Sequence, residues 1–256
     1  MKFWIFVLFP LLSFAQIIPQ ALQTKIQDAN LKHEPLIIAN SFKGLPYKAH
    51  ALSKENPEKF VVEFGGFDCV TFVENVWSLY RSKGVDSIFL TELKQIRYVQ
   101  MPISYENRNH YLTATFAQME EKGLFKPVIP ASFLILANKN LDYLSNFLVP
   151  KNLLITIPAI QSMEKNLGPL TYVPRTNFSL IMSYLKSGDI IAFVSKRKDL
   201  DYQHIGFVRE VKGNYYLVHA SQDRKQVCQS VESISVYLKN HPTMLGFNVF
   251  RPEYER

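Results

Sequence analysis

Cysteine is almost absent: the 256 residues carry two, Cys69 and Cys228. Two thiols are too few to staple a disulfide scaffold. The fold must therefore rest on an apolar core, and the length allows one large domain to have one. Close-spaced metal patterns such as CxxC or HExxH are missing too, so the usual sequence signature of a zinc centre is lacking. Lys and Arg outnumber Asp and Glu, 29 to 22, but they are scattered and form no basic stripe. That speaks against nucleic acid as a partner and leaves a solvated surface with a mild attraction to anionic cell-wall material. No internal repeat and no low-complexity linker divides the chain.

The first residues, MKFWIFVLFPLLSFA, also lack something. Their apolar run is shorter than the ~20 residues of a membrane-spanning helix, and no basic stop-transfer cluster follows. What is there is a single Lys2, an apolar stretch from Phe3 to Phe9, and small residues Ser13 and Ala15 at −3 and −1 of a cut before Gln16. This is the layout of a cleavable secretory signal peptide. Residues 1–15 are thus expected to be removed. The remainder, 16–256, is expected to be one exported domain with no membrane span, and its net charge falls from +7 to +6 with the loss of Lys2.

Along that domain, residues 20–42 carry helical spacing and stop before the turn KGLPY. EKFVVEF, 58–64, has the composition of a short strand. After the break at Gly65-Gly66, a helix is expected from about Asp68 to Ser82. Its Cys69, Val73, Val76, Trp77 and Tyr80 lie on one face, so Cys69 begins the buried stripe. Residues 86–186 are expected to be mostly helical with long connections. SIFLTELKQI and HYLTATFAQMEEKG are the better helices there, and IMSYLKSG should end at Gly188. Then the pattern changes to strand-length runs: DIIAFVS, HIGFVREV, YYLVHAS and GFNVFRP. A helix-rich first half and a strand-rich last third indicate an α+β domain, a helix packed on an antiparallel sheet.

Cys69 sits where a helix begins, and unpaired N–H groups there favour a thiolate. Asp68 beside it opposes that charge, and could instead cap the helix or meet a substrate amine. Of six histidines, His204 and His219 lie in apolar strand runs. A two-residue turn at Gly213-Asn214 would pair Lys212 with Tyr215 and put both histidines on one face, offset by four residues. A three-residue turn would separate them. If both face the helix, the set is a nucleophile (Cys69), a base (His204) and an orienting group (His219), the arrangement of covalent acyl transfer. The Cys69 N–H would serve as an oxyanion donor. The same three side chains could also ligate zinc, given a fourth group or a water.

In this order, FDCVTFVE, GDIIAF, HIGFV and VHAS resemble the NlpC-type branch of the papain-like cysteine hydrolases. GLPY, RNHYLT and the terminal VFRP are similar to one subgroup of it, the bacterial N-acetylmuramoyl-L-alanine amidase-like family. The resemblance runs from about Lys43 to Pro252. It implies a papain-like NlpC-type fold, with the nucleophile's helix against a small antiparallel barrel-like sheet. Residues 86–186 would then be a long helical insert shaping the substrate cleft. It also implies hydrolysis of the amide between N-acetylmuramic acid and L-alanine in peptidoglycan fragments, with 1,6-anhydro muropeptides as the expected form. The nucleophile falls on Cys69, the base on His204 and the third polar residue on His219, with no metal and no organic cofactor. The periplasm of a bacterium and a monomer are the expected setting.

Within the insert, Tyr105, Arg108, His110 and Tyr111 mix aromatic and cationic groups suited to sugar stacking and carboxylate pairing. With Asp68 they are the candidate substrate-binding residues. A structured loop with surface charges is the alternative for that segment. Glu74 is expected to pair with a cation elsewhere in the fold, and Cys228, in QVCQSV, to stay unbridged. Other functions remain open on the residues alone: an endopeptidase cutting within the stem peptide, a zinc-dependent hydrolase, or a non-catalytic wall-binding module.

Overall fold

Helix α3, Cys69–Ser82, is the centre around which the rest is arranged. Asp68 caps it: the carboxylate Oδ1 accepts from the Thr71 N–H at 2.8 Å, and the Thr71 hydroxyl accepts from the Asp68 N–H at 3.0 Å. Two otherwise unpaired donors of the first turn are thereby satisfied. At the other end Lys83 takes φ +50 and reverses the chain. Phe72, Val76, Trp77 and Leu79 have no exposed surface, each contributing about 1.5–3 kcal/mol by leaving water. Around α3 stand α1, Gln20–Leu31, α2, Leu36–Ser41, α4, Asp86–Arg97, and α5, Leu112–Glu121. The stretch 20–42 splits into α1 and α2 because His33, at φ +53, and Pro35 interrupt it.

This architecture comes from a computed structural model, which describes residues 16–52, 55, 57–148 and 157–253. The expected signal peptide, 1–15, lies outside the described residues. Among those residues, no helix is long and apolar enough to cross a membrane.

The second layer is an antiparallel sheet. Its strands are β1, Phe125–Pro127, β2, Ile135–Leu136, β3, Thr171–Pro174, β4, Ile190–Ser195, β5, Tyr202–Val211, β6, Asn214–Ser221, β7, Gln226–Ser233, and β8, Met244–Pro252. They run in the order β2-β3-β8-β4-β5-β6-β7, and β1 shares with β3 the edge of β8 that β4 leaves free. The chain is thus α+β with an antiparallel sheet. One face of the sheet carries Ile190, Ala192, Ile205, Phe207, Val218 and Ala220 against α3, with Phe72 edge-on to Phe207 at 5.9 Å. The other face carries Ile191, Phe193, Val208 and Leu217 and is covered by α8, Ile234–Asn240.

Three expectations are corrected. EKFVVEF is not a strand: residues 58–64 join no sheet, and the Val61 carbonyl accepts from Arg97 Nη1 instead. Among the described residues of 86–186, most are not α-helical. Beyond α4, α5 and α6, Ile157–Lys165, they supply β1, β2 and β3, because β8 has an open edge that short extended segments can complete. IMSYLKSG is helical only in part: α7, Phe178–Ile181, runs into one tight turn, Met182–Tyr184, well before Gly188.

Candidate active site

The hairpin joining β5 to β6 decides where the histidines go. Val211 pairs with Asn214 and Glu210 with Tyr215, so the turn residues are Lys212 and Gly213 rather than Gly213 and Asn214. Both have positive φ, +52 and +77, which matches the twist of a tight two-residue hairpin. Moving the turn back by one residue keeps the side-chain parity and shortens the offset between His204 and His219 from four residues to two. Diagonal neighbours on one face are within reach of large side chains. His204 Nε2 lies 2.5 Å from His219 Nδ1, with the rings edge to face.

Both rings share one face, but it is the face covered by α8, not the one on which α3 packs. His204 lies parallel to Phe193, and the ring of Tyr237 in α8 borders both imidazoles, at 6.3 Å from His204 and 5.9 Å from His219. Cys69 arrives from the other side, at the N-terminal end of α3. The backbone N–H groups of Ile205, next to His204, and of Cys69 and Val70 each favour the ionised sulfur. Ile205 directly follows His204, so the thiol lies near the same end of β5 as that imidazole.

Electrostatics here favour neutral groups. Burial pushes the Cys69 thiol up to about 12, the Asp68 carboxylate adds to this, and the three N–H groups oppose it. The expected gain from the helix start is outweighed. Burial likewise lowers His204 well below its ordinary value, and His219 to about 4, each helped by a histidine neighbour. A neutral imidazole at neutral pH is the form that accepts a proton. The ring-to-ring bond sets which nitrogen is free: when His204 donates from Nε2, its Nδ1 keeps a lone pair.

Other residues complete the surroundings. The segment GLPY lies along the edge of β7, with Gly44 N–H donating to the Val227 carbonyl and Val227 N–H to the Leu45 carbonyl. Phe67 N–H donates to the Pro46 carbonyl at 3.1 Å, and Lys48 N–H to the Phe67 carbonyl at 2.9 Å. The turn before Cys69 is thus tied to the sheet. Tyr47 has its hydroxyl raised first by burial, and then by its neighbours Cys69 and Asp68. Tyr47 and Tyr237 escaped the sequence analysis, since nothing local marks a tyrosine that adjoins a distant thiol. Cys228 pairs directly across from His219. Both cysteines are free. A cavity of about 180 Å³ is lined by His219, Ser221, Asp223, Cys228, Tyr237 and His241. A larger cleft of about 650 Å³ lies over the insert and shares no lining residue with the histidine pair.

Gly206 shows how tight the pair is. It falls opposite His219 when the β5–β6 register is continued, and a Cβ built there would stand 2.9 Å from the His219 Cβ and 2.8 Å from the Val218 carbonyl oxygen. Backbone cannot yield as a flexible side chain can. Gly206→Ala is expected to cost about 1–3 kcal/mol by overpacking and to lower kcat further than the lost stability explains, because His219 is displaced. Thermal melts and kcat on one preparation check this. A variant with native kcat would show that the crowding is relieved elsewhere.

The four expected binding residues of the insert face inward. Tyr105, Arg108 and Tyr111 are buried. Arg108 lies over the Tyr105 ring at 4.7 Å and 3.7 Å from Glu58. His110 Nε2 is 2.6 Å from the Tyr105 carbonyl, and its pKa is lowered to about 3, first by burial and then by Arg108. Tyr111 donates to Glu164 at 2.7 Å and accepts from the Leu144 N–H. Their polarity serves contacts within the protein, which a local pattern of aromatic and cationic residues does not distinguish from ligand contacts. Asp68, the fifth, stays beside the thiol as the helix cap. Glu74 finds its cation in Arg97, at 2.8 Å in a buried pair. Among the described residues, no group of three His, Cys, Asp or Glu side chains could hold a metal ion.

Comparison with known proteins shows the family and the fold. No curated protein matches the chain. Solved structures do. An N-acetylmuramoyl-L-alanine amidase from Bacteroides uniformis superposes with a TM-score of 0.78 at 26% identity, covering 86% of this chain and 98% of its own. A candidate xylanase from Bacteroides fragilis gives 0.76 at 26% identity, with 83% and 98% covered. A Legionella pneumophila protein gives 0.72 at 21% identity, with 91% and 92% covered, and shares the fold. The family model described as N-acetylmuramoyl-L-alanine amidase-like matches residues 37–244, and this chain belongs to that family.

Proposed function

We propose that the protein is a cysteine amidase that cleaves the bond between N-acetylmuramic acid and L-alanine in peptidoglycan fragments. The observation that supports the reading is the bonded imidazole pair at the end of β5, beside the Ile205 N–H that also acts on the helix-capped thiol. His204 Nδ1 takes the Cys69 proton as the sulfur attacks the lactyl carbonyl. The Cys69 N–H is the oxyanion donor. The C–N bond breaks, His204 returns the proton to the departing amine of L-alanine, and water then hydrolyses the thioester. His219 accepts from His204 Nε2 and holds the productive tautomer.

On this reading the fold is of the NlpC papain-like type. Residues 1–15 direct export, and residues 16–256 act as a monomeric domain in the periplasm. Tyr105, Arg108, His110 and Tyr111 brace the wall of the cleft, while Asp68 stands at the reacting centre. The same resemblance makes 1,6-anhydro muropeptides the expected form of substrate.

Mass spectrometry of defined muropeptides after digestion tests the scissile bond. A muramyl peptide should yield free sugar and an intact stem peptide beginning with L-alanine. The stem peptide without its sugar should be inert, because binding of the sugar positions the carbonyl for attack. Release of an L-Ala–D-Glu dipeptide would point instead to an endopeptidase.

A further inference from the structure

Residues 196–201, which join β4 to β5, are gripped by a segment of the insert. The Lys139 ammonium donates to three carbonyl oxygens of this turn: that of Ser195, that of Arg197 at 2.6 Å and that of Leu200 at 2.8 Å. The Lys198 and Asp199 carbonyls accept from the Asn140 and Tyr143 N–H groups, at 2.8 and 3.2 Å. The Arg197 guanidinium lies 4.3 Å from the Tyr143 ring. An ammonium has three N–H donors, and here each has a carbonyl. At the far end of the turn the buried Asp201 Oδ2 accepts from the Thr113 N–H and hydroxyl, and Oδ1 from the Tyr202 N–H.

His204 comes just after this turn. Phe193 pairs with His204 but Val194 pairs with Tyr202, so Gln203 is an extra residue, a β-bulge immediately before the histidine. The β4–β8 ladder slips at the same end, between Val194 and Ser195. A bulge re-aims the next side chain and interrupts the ladder that would otherwise fix it. Its shape therefore depends on the turn behind it, and Lys139 gathers that turn. We propose that Lys139 is a positioning residue for His204: its ammonium, caged by the Ser195, Arg197 and Leu200 carbonyls, fixes the β4–β5 turn and through it the bulge that aims the imidazole. This rests on the reading of His204 as the base.

The test uses the full chain carrying Cys228→Ser, so that iodoacetamide reports on Cys69. Lys139→Met keeps the stem and removes the charge. It is expected to lower kcat on a muramyl peptide by about 10–100-fold, the scale of a displaced catalytic group, with KM little changed. The rate of Cys69 alkylation should fall in parallel. Lys139→Arg keeps the charge, but its planar fork does not fit three converging carbonyls. It should show the same kcat loss with a near-native melting temperature, which covers the case in which Lys139→Met does not fold. In Lys139→Ala the vacated cage should accept methylammonium or potassium and regain activity, whereas tetramethylammonium should not restore it. Native kcat and alkylation in folded Lys139→Met and Lys139→Arg, or a loss confined to KM, would overturn the proposal. His204→Ala separates the two failures: if it too leaves hydrolysis and alkylation at native rates, the assignment of the base is wrong and the role of Lys139 falls with it.

Discussion

Replacing Cys69 by alanine is expected to abolish turnover on a muramyl peptide, by on the order of 10⁴-fold or more in kcat, because no other group on the path can form the acyl intermediate. The fold should survive. Cys69 is only partly buried, at the first turn of α3, and the cap that starts the helix is made by Asp68 and Thr71. Circular dichroism and a thermal melt close to native would separate lost chemistry from lost structure. The native enzyme should be fully inactivated by an alkylating agent and indifferent to chelators. Activity lost on chelation and regained with zinc would favour the metal reading. The pH dependence is also specified. Burial and Asp68 hold the thiol up, so the resting pair is thiol and imidazole rather than thiolate and imidazolium. Alkylation of Cys69 in Cys228→Ser protein should keep rising through pH 9. A flat profile from pH 6 upward would mean that a stable ion pair forms despite the burial. Cys228→Ser itself should keep most of the activity, since both thiols are free.

Removal of the base is the other large effect. His204→Ala should lower kcat by on the order of 10³–10⁴. His219→Ala should cost less, roughly 10²-fold, the lower end of what a positioned acid–base group contributes, because the base is still present but can turn. His219→Asn or His219→Gln retains an oxygen that can accept from His204 Nε2 and should keep more activity than alanine. Steady-state kinetics on folded variants decide this; equal and complete losses for Ala and Asn would give His219 a role beyond orientation.

The pair also makes stability depend on pH. The folded His219 titrates near 4, and an unfolded histidine near ~6.5. Between these values the unfolded chain binds more protons, so stability rises with pH. It is fully present above the unfolded value and is lost as pH falls through the window toward 4. Melting temperature should therefore drop on acidification below about pH 6.5, and His219→Gln should flatten the drop. An acid slope unchanged in His219→Gln would place its source in other groups.

Much of this architecture is legible in residue order. The stripe from Cys69 to Tyr80 specifies α3, since apolar side chains three and four apart can all leave water only on a helix. The apolar, β-branched and aromatic runs from Ile190 onward specify strands by their composition and length. Parity is local as well: any two-residue turn in 211–214 leaves His204 and His219 on one face. Asp68 with Thr71 three positions on is a cap that needs no distant partner.

Other features were decided by contacts that no local pattern encodes. Parity does not distinguish a Lys212-Gly213 turn from a Gly213-Asn214 turn, and the one that forms, Lys212-Gly213, brings the two imidazoles within a hydrogen bond. The aromatic and cationic residues 105–111 turn inward because Glu58 and Glu164 reach them from elsewhere in the chain. EKFVVEF has the composition of a strand but meets no sheet edge. Tyr47, Tyr237 and Lys139 owe their places to the packing of separate segments on the sheet. Periodicity records which side of an element must leave water, so sequence alone determined α3, the strands from Ile190 onward and, given a two-residue turn, that the histidines share a face. Partners distant in sequence exist only once the layers have closed on each other, so the tertiary structure alone decided the distances between those groups and the burial that holds the thiol and both imidazoles neutral.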